Sequence, residues 1–318
     1  MPKKSMLLIL TVASCLSAGC AVNPLTGDKE LMFSPLRQDI EIGRLCAPEV
    51  EKQMDGRIKD DSLQSYIDTV GQRIARISHR SGLDYHFLAL NHKSVNAFAL
   101  PGGYIFITRG MLEKLQTEAQ LAAILAHEIA HVVARDAANR MSNQSAMGLL
   151  LMGAASAGAP GELINAAYVT QEILSLKYSR EDERQADMGG LRYMVRAGYN
   201  PYGMVETMQM LETLQYDEPV EFLSTHPSPY NRVSYLTRTI QRRDLDLSAL
   251  KVGCEDYQHA VLDRLTRIFH KTLDPRAPLP PAGFLAPCPP ALSPPFRTGS
   301  QASQKTVKRG TIPCRASC

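Results

Sequence analysis

The sequence predicts a predominantly helical α+β protein with a small β-sheet packed beside one buried helix. Three features carry that expectation. Apolar residues recur at three-and-four spacing along most of the chain, and the period shortens to that of strands between His86 and Thr108. Leu121 to Ala134 is apolar or small throughout, except at His127, Glu128 and His131. With 318 residues and 44% hydrophobic content, the chain can bury one large core or two small ones.

Taken in order, Lys3 and Lys4 precede an apolar run from Met6 to Leu16 and small residues ending at Gly19 and Cys20, the pattern of an export signal over residues 1–19. The run is too short to span a bilayer comfortably. Leu16-Ser-Ala-Gly-Cys20 is similar to a bacterial lipobox, with Ser17 where leucine is usual, and on that pattern Cys20 would carry a lipid anchor to the membrane. Residues 20–34 then read as a turn-rich tether and residues 35–273 as the folded domain. A helix is expected from Pro35 to Met54. A second, amphipathic one follows where Leu63, Tyr66, Ile67, Val70, Ile74 and Ile77 fall on one face.

Short strands are expected at Phe87 to Leu90, Val95 to Leu100 and Tyr104 to Thr108, punctuated by Pro101-Gly102-Gly103. Asn96, Ala97 and Phe98 would form an exposed edge to which an extended substrate adds through backbone hydrogen bonds, or else part of a hairpin that only packs.

Thr117 and Gln120 offer a capping-box start to the next helix. Four apart on that helix, His127 and His131 share a face and can present two imidazole nitrogens to one ion, with Glu128 beside them. Three polar side chains in so apolar a helix are costly without a metal to compensate. Zinc held there lowers the pKa of water toward neutrality, and an adjacent carboxylate takes the proton as that water attacks a peptide carbonyl. Ala134 and Ala137 stand where metzincins need glycine and histidine, so the third ligand should come from a second helix.

Ser145 to Val169 is rich in Ala, Gly, Leu and Met and broken by Pro160-Gly161. It suits a lid, a membrane- or partner-facing surface, or a closely packed buried helix. One helix then runs from Thr170 to Arg196, stopped by Gly198 and Pro201. Within it Glu183 and Asp187 share a face. Glu183 can supply the third ligand, and Asp187 can grip a ligand histidine through its outer ring nitrogen. The neighbouring Arg180, Glu181, Asp182 and Arg184 would equally suit a solvated, charge-laced helix.

His127-Glu128-x-x-His131 combined with Ser179-Arg180-x-x-Glu183-x-x-Ala186-Asp187 resembles the zinc metallopeptidase family that includes the Ste-type CAAX prenyl proteases and the bacterial HtpX-type proteases. Asn96-Ala97-Phe98-Ala99-x-Pro101-Gly102-Gly103 and Ser224-Thr225-His226-Pro227 resemble its soluble periplasmic lipoprotein branch. The resemblance implies a gluzincin-type fold, one zinc ion per chain held by His127, His131 and Glu183, and Glu128 as catalytic base. Gln185 departs from the acid usual at its place, a position that is not a ligand. His226 would be an oxyanion donor, an occupant of the open metal position, or a plain surface residue before Pro227. Arg232 is a second oxyanion candidate.

Helices at Tyr202 to Leu214, Asn231 to Arg242 and Glu255 to Lys271 would close the core. Residues 274–318 hold 10 of the 20 prolines, and from Arg276 onward there are six basic residues and no acid, so disorder is expected there. That tail accounts for the net charge of +3, which leaves nucleic acid a poor partner. Cys46 and Cys254 could pair in an oxidising compartment. The chain is therefore expected to be a zinc endopeptidase, periplasmic and lipid-anchored to the outer membrane, with misfolded or misassembled envelope polypeptides as substrates. The rival is a zinc-stabilised, chaperone-like scaffold, against which the base at Glu128 speaks.

Overall fold

The computed structural model describes residues 20–31, 35–143, 166–217, 219–227, 231–243 and 245–273. The export signal, the Pro-rich tail and most of the Ser145–Val169 stretch lie outside the described residues.

The chain enters through a two-stranded antiparallel hairpin, β1 (Cys20–Val22) and β2 (Lys29–Leu31). Its turn inserts Leu25, 8% exposed, into the main core, a burial that stabilises docking by about 1.5–3 kcal/mol. Asn23 Nδ2 donates to Gln185 Oε1 at 3.2 Å, and Arg192 Nη2 donates to the Leu25 carbonyl at 3.1 Å. The stretch expected to be a tether is thus docked on the domain. A single apolar plug has no periodicity to betray it.

Helices α1 (Leu36–Gln53) and α2 (Asp61–Ala75) lie where the apolar spacing puts them, and Asp60 caps α2 by accepting from the Leu63 amide at 2.8 Å. Strands β3 (His86–Leu90), β4 (Ala97–Ala99) and β5 (Tyr104–Thr108) form one sheet in the order β3-β5-β4, parallel between β3 and β5 and antiparallel between β4 and β5. Strand alternation divides two cores. Phe87, Ala89, Ile105 and Ile107 join α2 in the main core, while Leu88, Leu90, Phe98 and Phe106 pack with Ile42, Cys46 and Val50 of α1 in a second. Cys46 is a buried free thiol, so it does not pair with Cys254.

After α3 (Arg109–Lys114), α4 (Glu118–Ala134) runs through the centre, and all of its residues are buried. Thr117 accepts from the Gln120 amide at 3.1 Å, but Gln120 Oε1 accepts from the Gln116 amide, closing the box one residue before the cap. The first amides of α4 donate to a strap: Glu118 N to Gly253 O at 3.1 Å and Ala119 N to Val252 O at 3.0 Å. The Glu118 carboxylate accepts from Tyr66 (2.7 Å), Tyr199 (2.8 Å) and Lys251 (2.7 Å).

Beyond α5 (Asp136–Asn143), the single helix expected over Thr170–Arg196 is two, α6 (Ala166–Ser175) and α7 (Arg180–Arg196). The cause is a reciprocal capping box: Ser179 accepts from the Asp182 amide while Asp182 accepts from the Ser179 amide. Then follow α8 (Tyr202–Asp217), α9 (Glu221–Thr225), α10 (Arg232–Gln241), α11 (Cys254–Tyr257) and α12 (Asp263–Leu273), the last two joined by a π-helical turn, Gln258–Leu262. Helices α2, α7 and α8 and strand β4 all pack on α4. Gly190 lets α7 come close, since a Cβ there would lie 3.1 Å from backbone atoms of Ala126 and His127. Among the described residues no helix is long and apolar enough to cross a membrane.

Candidate metal centre

Helix α4 holds His127 and His131 one turn apart, and α7, pressed against it at Gly190, aims Glu183 between them. His127 Nε2 lies 3.1 Å from His131 Nε2 and 3.4 Å from Glu183 Oε2, and His131 Nε2 lies 3.3 Å from Glu183 Oε1. A tetrahedral ion bonded at about 2.0–2.1 Å has ligand-to-ligand edges of about 3.3–3.4 Å, so the three donors are spaced as ligands of one ion. His226 completes the cluster: one donor atom from each of the four residues lies within 4.8 Å of the others.

Each outer ring nitrogen is held. His127 Nδ1 meets Asp187 Oδ1 at 3.1 Å and His131 Nδ1 meets Asp136 Oδ2 at 2.7 Å, so both rings hold a proton on Nδ1 and turn Nε2, the atom that would bind an ion once deprotonated, to the centre. Arg232 in turn fixes Asp187 with two donors, Nε at 2.7 Å and Nη2 at 2.6 Å, and the Tyr235 hydroxyl donates to the same carboxylate. Arg232 Nη1 stands 3.3 Å from Glu183 Oε2. Asp136 owes its position to a reversal at the end of α4, where Arg135 takes the left-handed conformation at φ 63° and forms a buried ion pair with Asp39 of α1 at 2.6 Å.

His226 is fully buried, which removes the surface reading. Its ring stacks on Phe222 at 4.4 Å between centroids, its Nδ1 lies 2.8 Å from Glu183 Oε1, and its Nε2 points to Glu128 Oε1 at 3.8 Å. Tyr178 stacks on His131 at 4.0 Å, and its amide donates to the Thr225 carbonyl, tying the α6–α7 break to the His226 loop.

The electrostatics suit a cation. Glu128, Asp136, Glu183 and Asp187 are buried carboxyl groups around these rings, and the guanidinium of Arg232 sets its charge against Glu183 and Asp187. Burial opposes charge on His131, yet its contacts with Asp136 and Glu183 push it up to about 10. Burial likewise opposes a charged His127, and Glu183 and Asp187 outweigh it, raising its pKa. Burial would lift Glu183, but His226 and His127 hold it well below the usual carboxylate range. In His226 burial wins and the ring is held down. Both oxygens of Glu128, Glu183 Oε2 and His226 Nε2 are buried without a hydrogen-bond partner among the described residues. Orphaned acceptors of this kind are costly unless a cation or substrate meets them, and a two-histidine, one-carboxylate donor set fits zinc.

The sequence expectation therefore places His127, Glu128, His131, Glu183, Asp187, His226 and Arg232 in one constellation. Ala97 and Phe98 lie on β4, an edge strand by sheet order, and Asn96 just before it, but the expected exposure is absent. Ala97 is 0% exposed because α4 packs on β4 and the Phe222 amide caps the Val95 carbonyl. Sequence reasoning passed over Asp136 and Tyr178. Asp136 follows a chain reversal that helical spacing does not foresee, and an aromatic ahead of Ser179-Arg180 carries no signal of its own.

A family model described as Peptidase family M48 matches residues 61–240, a span holding all seven of those residues. The chain is 32% identical over 190 residues to the beta-barrel assembly-enhancing protease of Yersinia pestis, covering 56% of this chain and 39% of that protein. It is 33% identical over 210 residues to the mitochondrial metalloendopeptidase OMA1 of Schizosaccharomyces pombe, covering 63% of this chain and 61% of that one. The Escherichia coli K12 beta-barrel assembly-enhancing protease is 29% identical over 188 residues, and again the chain spans 39% of the relative's length.

Proposed function

Because the chain belongs to peptidase family M48, we propose that it is a zinc metalloendopeptidase in which His127, His131 and Glu183 hold the ion and Glu128 is the base. The observation that carries this reading is the 3.1–3.4 Å spacing of the His127 and His131 nitrogens and the Glu183 carboxylate beside a Glu128 carboxylate that has no hydrogen-bond partner among the described residues. Bound zinc would supply Lewis acidity, bringing the pKa of water toward neutrality and balancing negative charge that develops on the scissile carbonyl. Glu128 takes the proton from the attacking water and returns it to the leaving amine. His226 Nε2 has no hydrogen-bond partner among the described residues, and with the ring's proton moved from Nδ1 to Nε2 it can donate to the developing oxyanion. Arg232, expected as a second donor, has two nitrogens committed to Asp187 and acts through it on the orientation of His127.

The antiparallel alternation turns the backbone groups of Ala97 and Ala99 away from β5, and the buried Asn96 Oδ1 has no hydrogen-bond partner among the described residues, so β4 offers a substrate backbone its hydrogen bonds. With Ala97 and Glu128 both 0% exposed, a polypeptide reaches them only when the wall over this strand shifts. Ala97→Pro should weaken peptide affinity; an unchanged affinity would remove β4 from the binding surface.

The substrates we infer are misfolded or misassembled envelope polypeptides. The support is the names of the bacterial relatives, the export-signal pattern at Lys3 to Cys20, and the resemblance of the Asn96–Gly103 and Ser224–Pro227 stretches to the exported lipoprotein branch. A periplasmic position with a lipid on Cys20 follows from the same pattern. The test is metal analysis of the purified protein paired with degradation of an unfolded polypeptide by wild type and Glu128→Gln. Loss of cleavage with zinc retained is expected. Survival of the cellular role in Glu128→Gln would favour a zinc-stabilised scaffold instead.

A further inference from the structure

The C-terminal ends of α2 and α7 come together on a side of the molecule that the metal centre does not use. Arg73, Arg76 and Arg196 are exposed there, Arg80 and Arg192 are half-buried, and His79 lies among them with its Nδ1 2.7 Å from the Tyr193 hydroxyl. Arg73 sits over the Tyr199 ring at 5.1 Å, and Arg80 Nε donates to the Val133 carbonyl at 2.8 Å. Burial first, and then Arg192 and Arg196, hold His79 below its usual pKa, as expected where the two helix ends crowd positive charge.

Among the described residues none of these five arginines forms an ion pair with a carboxylate: Arg73 meets a ring, Arg80 and Arg192 meet carbonyls, and Asp39 acts on Arg80 only at longer range. Helix dipoles favour one cation in each last turn, which accounts for Arg73 and Arg196. They do not account for Arg80 beyond the end of α2, nor for the concentration of five like charges. A surface of that kind attracts anions.

A second observation points to which anion. Arg192 holds the Leu25 carbonyl and so ties the β1–β2 hairpin to the same patch, and Val22 of that hairpin is an apolar side chain 55% exposed. Cys20 is five residues from Leu25, within about 17 Å even if fully extended. We propose that this face, the arginines of α2 and α7 together with the docked hairpin, lies on an anionic phospholipid surface. It does not require a lipid on Cys20, but an acyl chain there would reach the same bilayer, and a polybasic patch is the usual second contribution to stable anchoring.

The experiment uses the full chain with Cys20→Ser, which cannot be lipidated, sedimented with phosphatidylcholine vesicles with or without phosphatidylglycerol. Binding should require the anionic lipid and weaken with salt. Arg76→Gln with Arg196→Gln, both exposed, should lower partitioning about five-fold per arginine, the equivalent of about 1 kcal/mol each. Lysine at both positions should retain binding, and thermal melts should confirm that all variants are folded. Arg242→Gln with Arg243→Gln makes the same change of net charge elsewhere and should leave partitioning unchanged. Equal loss in that control pair, equal binding to neutral vesicles, or binding to soluble polyanions such as heparin without binding to vesicles would each overturn the proposal.

Discussion

Replacing Asp187 with alanine separates what this carboxylate does for the fold from what it does for the metal. It is fully buried and accepts from His127 Nδ1, from two nitrogens of Arg232 and from the Tyr235 hydroxyl. Removing one partner of a buried pair strands the other, here the Arg232 guanidinium, at about 3–5 kcal/mol. At about 2–4 °C per kcal/mol for a domain of this size, the midpoint of thermal unfolding should fall by roughly 6–20 °C. Measured by circular dichroism in chelator, that loss is independent of zinc. Arg232→Met added to Asp187→Ala removes the stranded charge and should recover at least half of it. Zinc affinity, measured by competition with a chromophoric chelator, should fall about 10- to 100-fold in the single variant and stay low in the double, because His127 has lost the acceptor that fixes its tautomer. A double variant no more stable than the single one, or unaltered zinc affinity in either, would refute the assignment of Asp187 as the hub joining Arg232 to His127.

Other substitutions probe the scaffold and the ion. Gly190→Ala pushes α7 away from Ala126 and His127 and should cost about 1–3 kcal/mol in urea unfolding, with weakened zinc binding because Glu183 moves too; an unchanged denaturation midpoint would show that the helices give way freely. Glu118→Ala strips three donors of their shared acceptor and should destabilise by about 2–4 kcal/mol, less than three full bonds because Lys251 is partly exposed. A loss below 1 kcal/mol (about the worth of one such bond) would disqualify Glu118 as the tie for the strap. Zinc must displace a proton from His131, whose metal-free pKa stands at about 10. The apparent zinc affinity should therefore weaken by about ten-fold for each pH unit of acidification below that value, per proton displaced. A pH-independent affinity near neutrality would contradict that competition.

The parts of the fold that sequence patterns reached are those where one residue's spacing decides the outcome. Helix α4 declares itself through apolar residues interrupted by a fixed polar spacing, and β3 and β5 through a change of period. The placing of Glu183 and Asp187 on one face required only that they be four apart. What escaped was set by contacts distant in sequence. The break at Leu176–Ser179 was legible in principle, because Ser179 and Asp182 form a cap, but the acids and arginines around them also suit a continuous solvated helix. Its stabilising bond, from the Tyr178 amide to the Thr225 carbonyl, lies nearly fifty positions away. The docking of Leu25, the burial of His226 and the grip of Arg232 on Asp187 are of the same kind: isolated residues whose partners no periodicity names.

The reversal after α4 has a consequence for how much of the chain a working fragment needs. Arg135 is a non-glycine residue at positive φ, a conformation that persists where its surroundings hold it, and Asp39 supplies that hold from well upstream of residue 61, where the family match begins. A fragment cut at the family boundary would keep the side chains of the centre while releasing the turn that aims Asp136 at His131. It would be a peptidase in inventory with one ligand left free to swivel.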